Sequence, residues 1–350
     1  MRLNLDEGVI AMMKWTMFRC VFAALAITTT TSMAWSQTAK HADNSTAATL
    51  MRLQREVDQQ ASRLQKLEQE VNMPATVTQQ AGSGVGLIIG EYIWTDRSGR
   101  KPLRYQGFSR TGEPLRDQEG NELASFDGAG PVIVRQFSTS AFAVDSKHVL
   151  TSGFILAPWS SDPLLDDREN PEIVPAITML HAYFPEVKKA IDIEIKSTTE
   201  EGDAVLCTIK GEDSINSALR SVDTVEQAKE IPIVMLGYPG GVELLISRVP
   251  QDVLKEINKL GSPNMDETAE LLAERGYIHP IAFPTRISGR TEDRLFFETL
   301  ASYGNAGGPL ITADGLVVGM SQSVNSAFPS FNMAIAMPPL KSWLQDAIHK

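Results

Sequence analysis

Cysteine is nearly absent: among 350 residues only Cys20 and Cys207 occur. If the leader described below is removed, no internal disulfide is open to the rest of the chain. Cys207 is then expected as a buried thiol in a strand. A basic excess is also lacking, since 32 Lys and Arg face 43 Asp and Glu for a net charge of -11. No basic run overrides that balance, which excludes nucleic acid as a partner, because phosphate backbones need clustered cations. The five histidines are scattered singly, without zinc spacing, and nothing else in the sequence calls for a metal or cofactor. No uninterrupted run of about 20 apolar residues exists, no internal repeat, and no low-complexity tract.

What is present is 43% apolar and 21% charged, enough for a sizeable core. Lys14 and Arg19 precede the apolar run Cys20 to Ile27 and then Ser32-Met33-Ala34, the order of a secretory signal. Residues 1–36 are therefore expected to be removed near Ala34 or Ser36, leaving a periplasmic or secreted protein; an uncleaved membrane anchor is the alternative. Over 37–71 a spacer leads into a short coiled-coil pattern. Leu50, Val57, Leu64 and Val71 fall seven apart, with Leu53, Gln60 and Leu67 at the intervening d positions, and Arg63 and Glu68 at g and e. This predicts self-association; the competing reading is an amphipathic helix lying on its own domain. Residues 72–84, with Pro74 and two glycines near the end, are predicted to be a linker.

Short apolar runs punctuated by Gly, Asp and Asn over 85–130 predict hairpins. A helical hairpin is predicted within 250–275, with Pro250 in the first turn of one helix and Ser262 capping the other. Leu340, Trp343, Leu344, Ala347 and Ile348 carry the stripe of a terminal helix over 338–350.

Three segments carry a family resemblance. Tyr303-Gly304-Asn305-Ala306-Gly307-Gly308-Pro309-Leu310 resembles the nucleophile loop of trypsin-like serine proteases of the Do (HtrA) type. Phe142-Ala143-Val144-Asp145 with Val149-Leu150-Thr151-Ser152-Gly153-Phe154 resembles the strand that leads to the family's histidine, and Gly202-Asp203-Ala204-Val205-Leu206 its aspartate segment. The resemblance implies an all-β fold of two antiparallel barrels, the first over 131–228 and the second over 229–337 with the helical pair inserted. It implies backbone donors at Gly304 and Ala306 for an oxyanion. It also puts Ala306 where the nucleophilic serine stands, Phe154 where the histidine stands, and Asp203 at the third position. A methyl group cannot attack a carbonyl, and a phenyl ring cannot exchange a proton.

The resulting expectation is a bacterial pseudoprotease, not an enzyme. Its loop Gly304, Asn305, Ala306, Gly307 and Gly308 would hold an extended peptide or an exported partner protein, and the strand Val317 to Ser321 would present an edge to it. The alternatives are a serine-type hydrolase with relocated catalytic groups, for which Ser302, Ser321 and His148 are the nearest candidates, and a purely structural exported coiled-coil subunit. A cation held by Asp162, Asp166, Asp167 and Glu169 is a further reading, although their spacing fits no calcium loop.

Overall fold

The computed structural model describes residues 39–162, 173–224, 231–299, 304–322 and 331–349. The expected signal, 1–36, lies outside them. By its contacts the chain divides between Lys66 and Leu67 into two units. One helix, α1 (Ala39–Ala81), runs through that boundary. No helix among the described residues is long and apolar enough to cross a membrane.

From Leu67 onward the chain builds two closed antiparallel barrels of six strands each. The first comprises β1 (Val85–Asp96), β4 (Val134–Ala143), β5 (His148–Ser152), β6 (Ile173–Tyr183), β7 (Ile191–Thr198) and β8 (Ala204–Ile209), in the order β1-β4-β5-β8-β7-β6. The second comprises β9 (Pro232–Gly237), β10 (Ile281–Arg290), β11 (Arg294–Glu298), β12 (Pro309–Ile311), β13 (Val317–Ser321) and β14 (Phe331–Ala336), in the order β10-β11-β14-β13-β12-β9. β1 and β8 are apolar nearly end to end because one face of each fills the barrel and the other is buried in the cluster between the barrels. A two-stranded sheet, β2 (Arg104–Tyr105) with β3 (Ala124–Ser125), stands in the excursion between β1 and β4. Between β9 and β10 lie α2 (Gly241–Ile246), α3 (Gln251–Lys259) and α4 (Met265–Glu274), and α5 (Met337–His349) closes the chain.

Each barrel fills its own interior: Ile88, Trp94, Val149, Val205 and Cys207 in the first, Ile233, Leu295, Phe297, Leu310 and Val318 in the second. A third cluster joins Leu87, Ile89, Phe142 and Tyr183 to Leu236 and Tyr238, the inserted helices, and Leu340 and Leu344 of α5. Cys207 is buried in β8, and burial pushes its thiol up to about 12.

Several expected boundaries move. Residues 72–81 are not a linker but the last turns of α1. Pro74 removes one donor, yet Met73, Val77 and Ala81 recur every fourth residue and are buried in the junction cluster, worth roughly 1.5 to 3 kcal/mol for each large side chain. The hydroxyls of Thr76 and Thr78 donate back to the carbonyls of Asn72 (3.1 Å) and Pro74 (2.7 Å). The stretch 85–130 is not a set of separate hairpins preceding the first barrel, because β1 pairs with both β4 and β6 and closes it. The inserted pair falls inside 250–275, joined by the unforeseen α2. Its second helix is capped by Asn264 rather than Ser262: the Asn264 side chain accepts from Glu267 N–H (2.9 Å), and the Glu267 carboxylate accepts from Asn264 N–H (3.0 Å).

Candidate functional site

The loop 304–308 is clamped between the two barrels. Ser140 of β4 donates its N–H to Ala306 O (2.9 Å) and its hydroxyl to Gly304 O (2.5 Å), and accepts from Tyr238 N–H (2.8 Å). Thr139 Oγ1 donates to Ala306 O (2.7 Å), and Gly307 N–H to Ser321 O (2.8 Å). Gly304 lies at φ +94° and Gly307 at φ +81°, and a Cβ would come within 2.3 Å of Tyr238 O and 2.1 Å of Ser140 O. Both positions thus need glycine for backbone shape and for space. All five loop residues are buried.

These bonds leave particular groups over. Among the described residues, the N–H groups of Gly304 and Ala306 have no acceptor. The side-chain amide of Asn305, 2% exposed, has no partner at either atom, nor has the hydroxyl of Ser152. A tight turn with two such donors is of the kind that takes an oxyanion, a carboxylate or a carbonyl.

Phe154 stands in the short turn Gly153–Leu156 after β5. It is half-buried, and its ring meets Phe137 edge-on at 5.8 Å. Phe137 leads into a cluster with Tyr92, Trp94 and Trp159. Beneath it Asp162 accepts from Tyr92 Oη (2.7 Å) and Trp94 Nε1 (3.2 Å), and Arg135 Nε lies 3.6 Å away. Burial, then the bond to this carboxylate, pushes the Tyr92 hydroxyl up. Asp162 is therefore an internal tether of the aromatic cluster. Asp166, Asp167 and Glu169, its partners in the cation reading, lie outside the described residues.

Asp203 begins the turn into β8. Its Oδ1 accepts from Thr199 Oγ1 (2.7 Å), and its Oδ2 from Arg294 Nη2 (2.7 Å) and Gln322 Nε2 (3.4 Å). Its carbonyl accepts from Gly153 N–H (2.8 Å). The backbone thus joins Asp203 to the turn of Phe154, while Gly307 packs on Thr151 and Ser152 just ahead of that turn. Backbone contacts link the segments that carry Asp203, Phe154 and Ala306, while the Phe154 ring itself packs with the first barrel's cluster.

Sequence reasoning missed Thr139, Ser140 and Arg294. The first two stand in a strand that also carries Arg135, Gln136 and Ser138, so their polarity did not mark them out. Arg294 had no signal either, since it lies 91 residues from Asp203 in the chain. Of the other expected positions, His148 Nδ1 faces the Asp145 carboxylate at 2.8 Å, Ser321 is buried and donates to Gln322 O (3.2 Å), and Ser302 lies outside the described residues. The expected edge at Val317 to Ser321 is not free, because β13 is paired on both sides, with β12 and β14. The seam residues Leu50, Leu53, Val57, Leu64, Leu67 and Val71 are all exposed, from 48% at Leu53 to 77% at Val71.

Two closed six-stranded antiparallel barrels, with such a glycine loop at their junction, are the double-barrel fold of the trypsin-like proteases. No protein-family model matches the chain, and no curated protein matches it. Solved structures similar to it include the Rv3671c protease of M. tuberculosis. Its active form is 12% identical, with a TM-score of 0.41, covering 74% of this chain and 78% of that one. An inactive serine-to-alanine mutant of the protein from strain H37Rv is 14% identical, with a TM-score of 0.40, covering 61% and 83%. The expectation that this chain is not an enzyme is withdrawn: its structural neighbours include a protease in its active form as well as an inactive mutant, and inactivity of this chain is not shown. The side chains at 154 and 306 describe one place in the molecule and do not decide the activity of the whole.

Proposed function

We propose that the protein is exported and holds an extended segment of a peptide or partner protein at the barrel junction, through the turn 304–308. The observation that carries this reading is the pair of donors at Gly304 and Ala306 that have no acceptor among the described residues, on a turn kept in place by two positive-φ glycines and by Ser140. Binding by backbone donors needs neither a nucleophile nor a base, and a segment ending in a carboxylate supplies an acceptor with the charge such a turn favours. The half-buried Phe154 supplies an apolar wall for the preceding side chain. Export is supported by the order of charge, apolar run and small residues over 14–34.

A library of random hexapeptides, with free or amidated C-termini, tests the reading on the immobilised full chain. The free-acid pool should be enriched, and Ala306→Asp, which brings its own carboxylate to the donors, should weaken capture at least tenfold without shifting the melting temperature by more than a few degrees. Mass spectrometry of the recovered peptides reads in the same step whether they leave intact or cut. Equal capture by Ala306→Asp, or by the amidated pool, refutes the site. Gly307 is no place for a blocking substitution, because any side chain there collides with Ser140 O.

A further inference from the structure

We infer that the helix α1 carries a parallel, two-stranded coiled-coil interface for a second copy of this chain, with residues 50–71 as its seam. This inference is independent of the peptide site. Leu50, Leu53, Val57, Leu64, Leu67 and Val71 are exposed along a single helix and form the stripe that the heptad places on one side. A row of this kind, three heptads long and apolar except for Gln60, is more than the scattered exposed aliphatics of an ordinary surface. The stripe ends where the helix commits its flank to its own domain. Glu70, the next g position, is spent on Arg286 Nη2 at 2.8 Å, and Met73, Val77 and Ala81 are buried.

Charge and register together select the orientation. In a parallel pair Arg63 at g faces Glu68 at e of the other helix, once on each side, and all seven layers meet their own copies. One antiparallel register sets Arg63 against Arg63 and Glu56 against Glu70 with Leu50 opposite Pro74; the other, which sets Glu56 against Arg63, leaves Val71 without a partner layer and puts Gln60 against Val57. Side-chain shape points to two strands: two of the four a residues, Val57 and Val71, are β-branched, and two of the three d residues, Leu53 and Leu67, are leucine, the preference of two-stranded coils. Gln60, the one polar d residue, meets its own copy only in the parallel register and penalises slipped ones. Arg52 and Glu56 pair within one helix at 3.3 Å, at c and g, and do not cross the seam.

The test uses the full chain with Cys20→Ser, in which Cys207 is buried. Sedimentation equilibrium at tens of micromolar should give twice the chain mass, and Leu53→Glu with Leu64→Glu should halve it while the melting temperature of the barrels stays in place. Leu53→Cys alone should form an intermolecular disulfide under mild oxidation, as residues at the same d position meet in a parallel pair. A monomeric parent chain, a trimer or tetramer, or a disulfide that forms only when Leu53→Cys is mixed with Val71→Cys would each overturn the proposal.

Discussion

Asp203 and Arg294 carry opposite charges from different barrels, and their side chains are 16% and 23% exposed. A carboxylate so far from water needs partners; with no imidazole at position 154, a guanidinium, a threonine hydroxyl and a glutamine amide supply them. Removing one member strands the other, which costs 3–5 kcal/mol for a fully buried pair and somewhat less here. Arg294→Ala should therefore destabilise the protein by about 2 to 3 kcal/mol in urea unfolding. The double change Arg294→Gln with Asp203→Asn should cost less than the sum of its single changes, since both charges go together. Gly307 belongs to the same scale: Gly307→Ala forces a Cβ to within 2.1 Å of Ser140 O at φ +81°. It should cost about 3 kcal/mol or more from strain and overpacking together, seen as a fall in melting temperature.

At the scale of elements, α4 is moored to the first barrel by a histidine held between two acids. His181 of β6 faces Asp266 of α4 through Nδ1 at 2.8 Å and Asp192 of β7 through Nε2 at 2.9 Å. Tyr183 Oη donates to the same Asp266 oxygen at 2.6 Å, with Glu270 of α4 also near that hydroxyl. The bond to Asp266 raises the imidazole above its ordinary 6.5, against the opposing effect of burial, and Asp192 adds to the rise. Burial pushes Asp266 up, but the bonds from His181 and Tyr183 outweigh it and hold the carboxyl below its usual 3.8. A raised folded value means that the histidine's contribution is whole below pH 6.5 and is lost as pH climbs through that value. The depressed aspartate contributes above pH 3.8 and loses its contribution as pH falls through its folded value. The melting temperature should accordingly be higher at pH 5.5 than at pH 8.5, and His181→Ala should remove most of that difference. On the same helix Asn264→Ala, which takes away half of the capping box, should cost about 1 kcal/mol.

For the molecule as a whole, the boundary between Lys66 and Leu67 decides what a truncation does. Deleting residues 1–66 should leave both barrels folded, because no residue of the described core precedes Met73. Extending the deletion through residue 82 removes Met73, Val77 and Ala81 from the junction cluster. Two of these are large side chains, and with them goes the ion pair of Glu70 to Arg286. The longer deletion should lower stability by at least about 3 kcal/mol relative to the shorter one, measured by urea unfolding of the two fragments. Equal stability would show that the end of α1 only rests on the domain.

The local parts of this protein could be read along the chain. A heptad stripe, a helical hairpin opening at Pro250, the terminal helix, and a glycine loop needing positive φ all depend on neighbours within a few residues, so their pattern is written locally. Even where the spacing was legible, its limits were not. Pro74 and the glycines after it suggested a linker, whereas burial of Met73, Val77 and Ala81 against distant strands keeps the helix intact. The hairpins before the first barrel had the right local character, but only pairing with β4 and β6 makes β1 its closing strand. The loop 304–308 was visible from its glycines. Its clamp was not, because Ser140 lies 164 residues from the carbonyl it holds, and long-range hydrogen bonds leave no periodicity to detect. The same holds for Arg294, which becomes the partner of Asp203 only once the second barrel has closed beside the first. Sequence alone determined which backbone shapes and apolar faces exist; tertiary structure decided which of them are covered and which polar groups are satisfied, since burial and charge pairing belong to residues far apart in the chain.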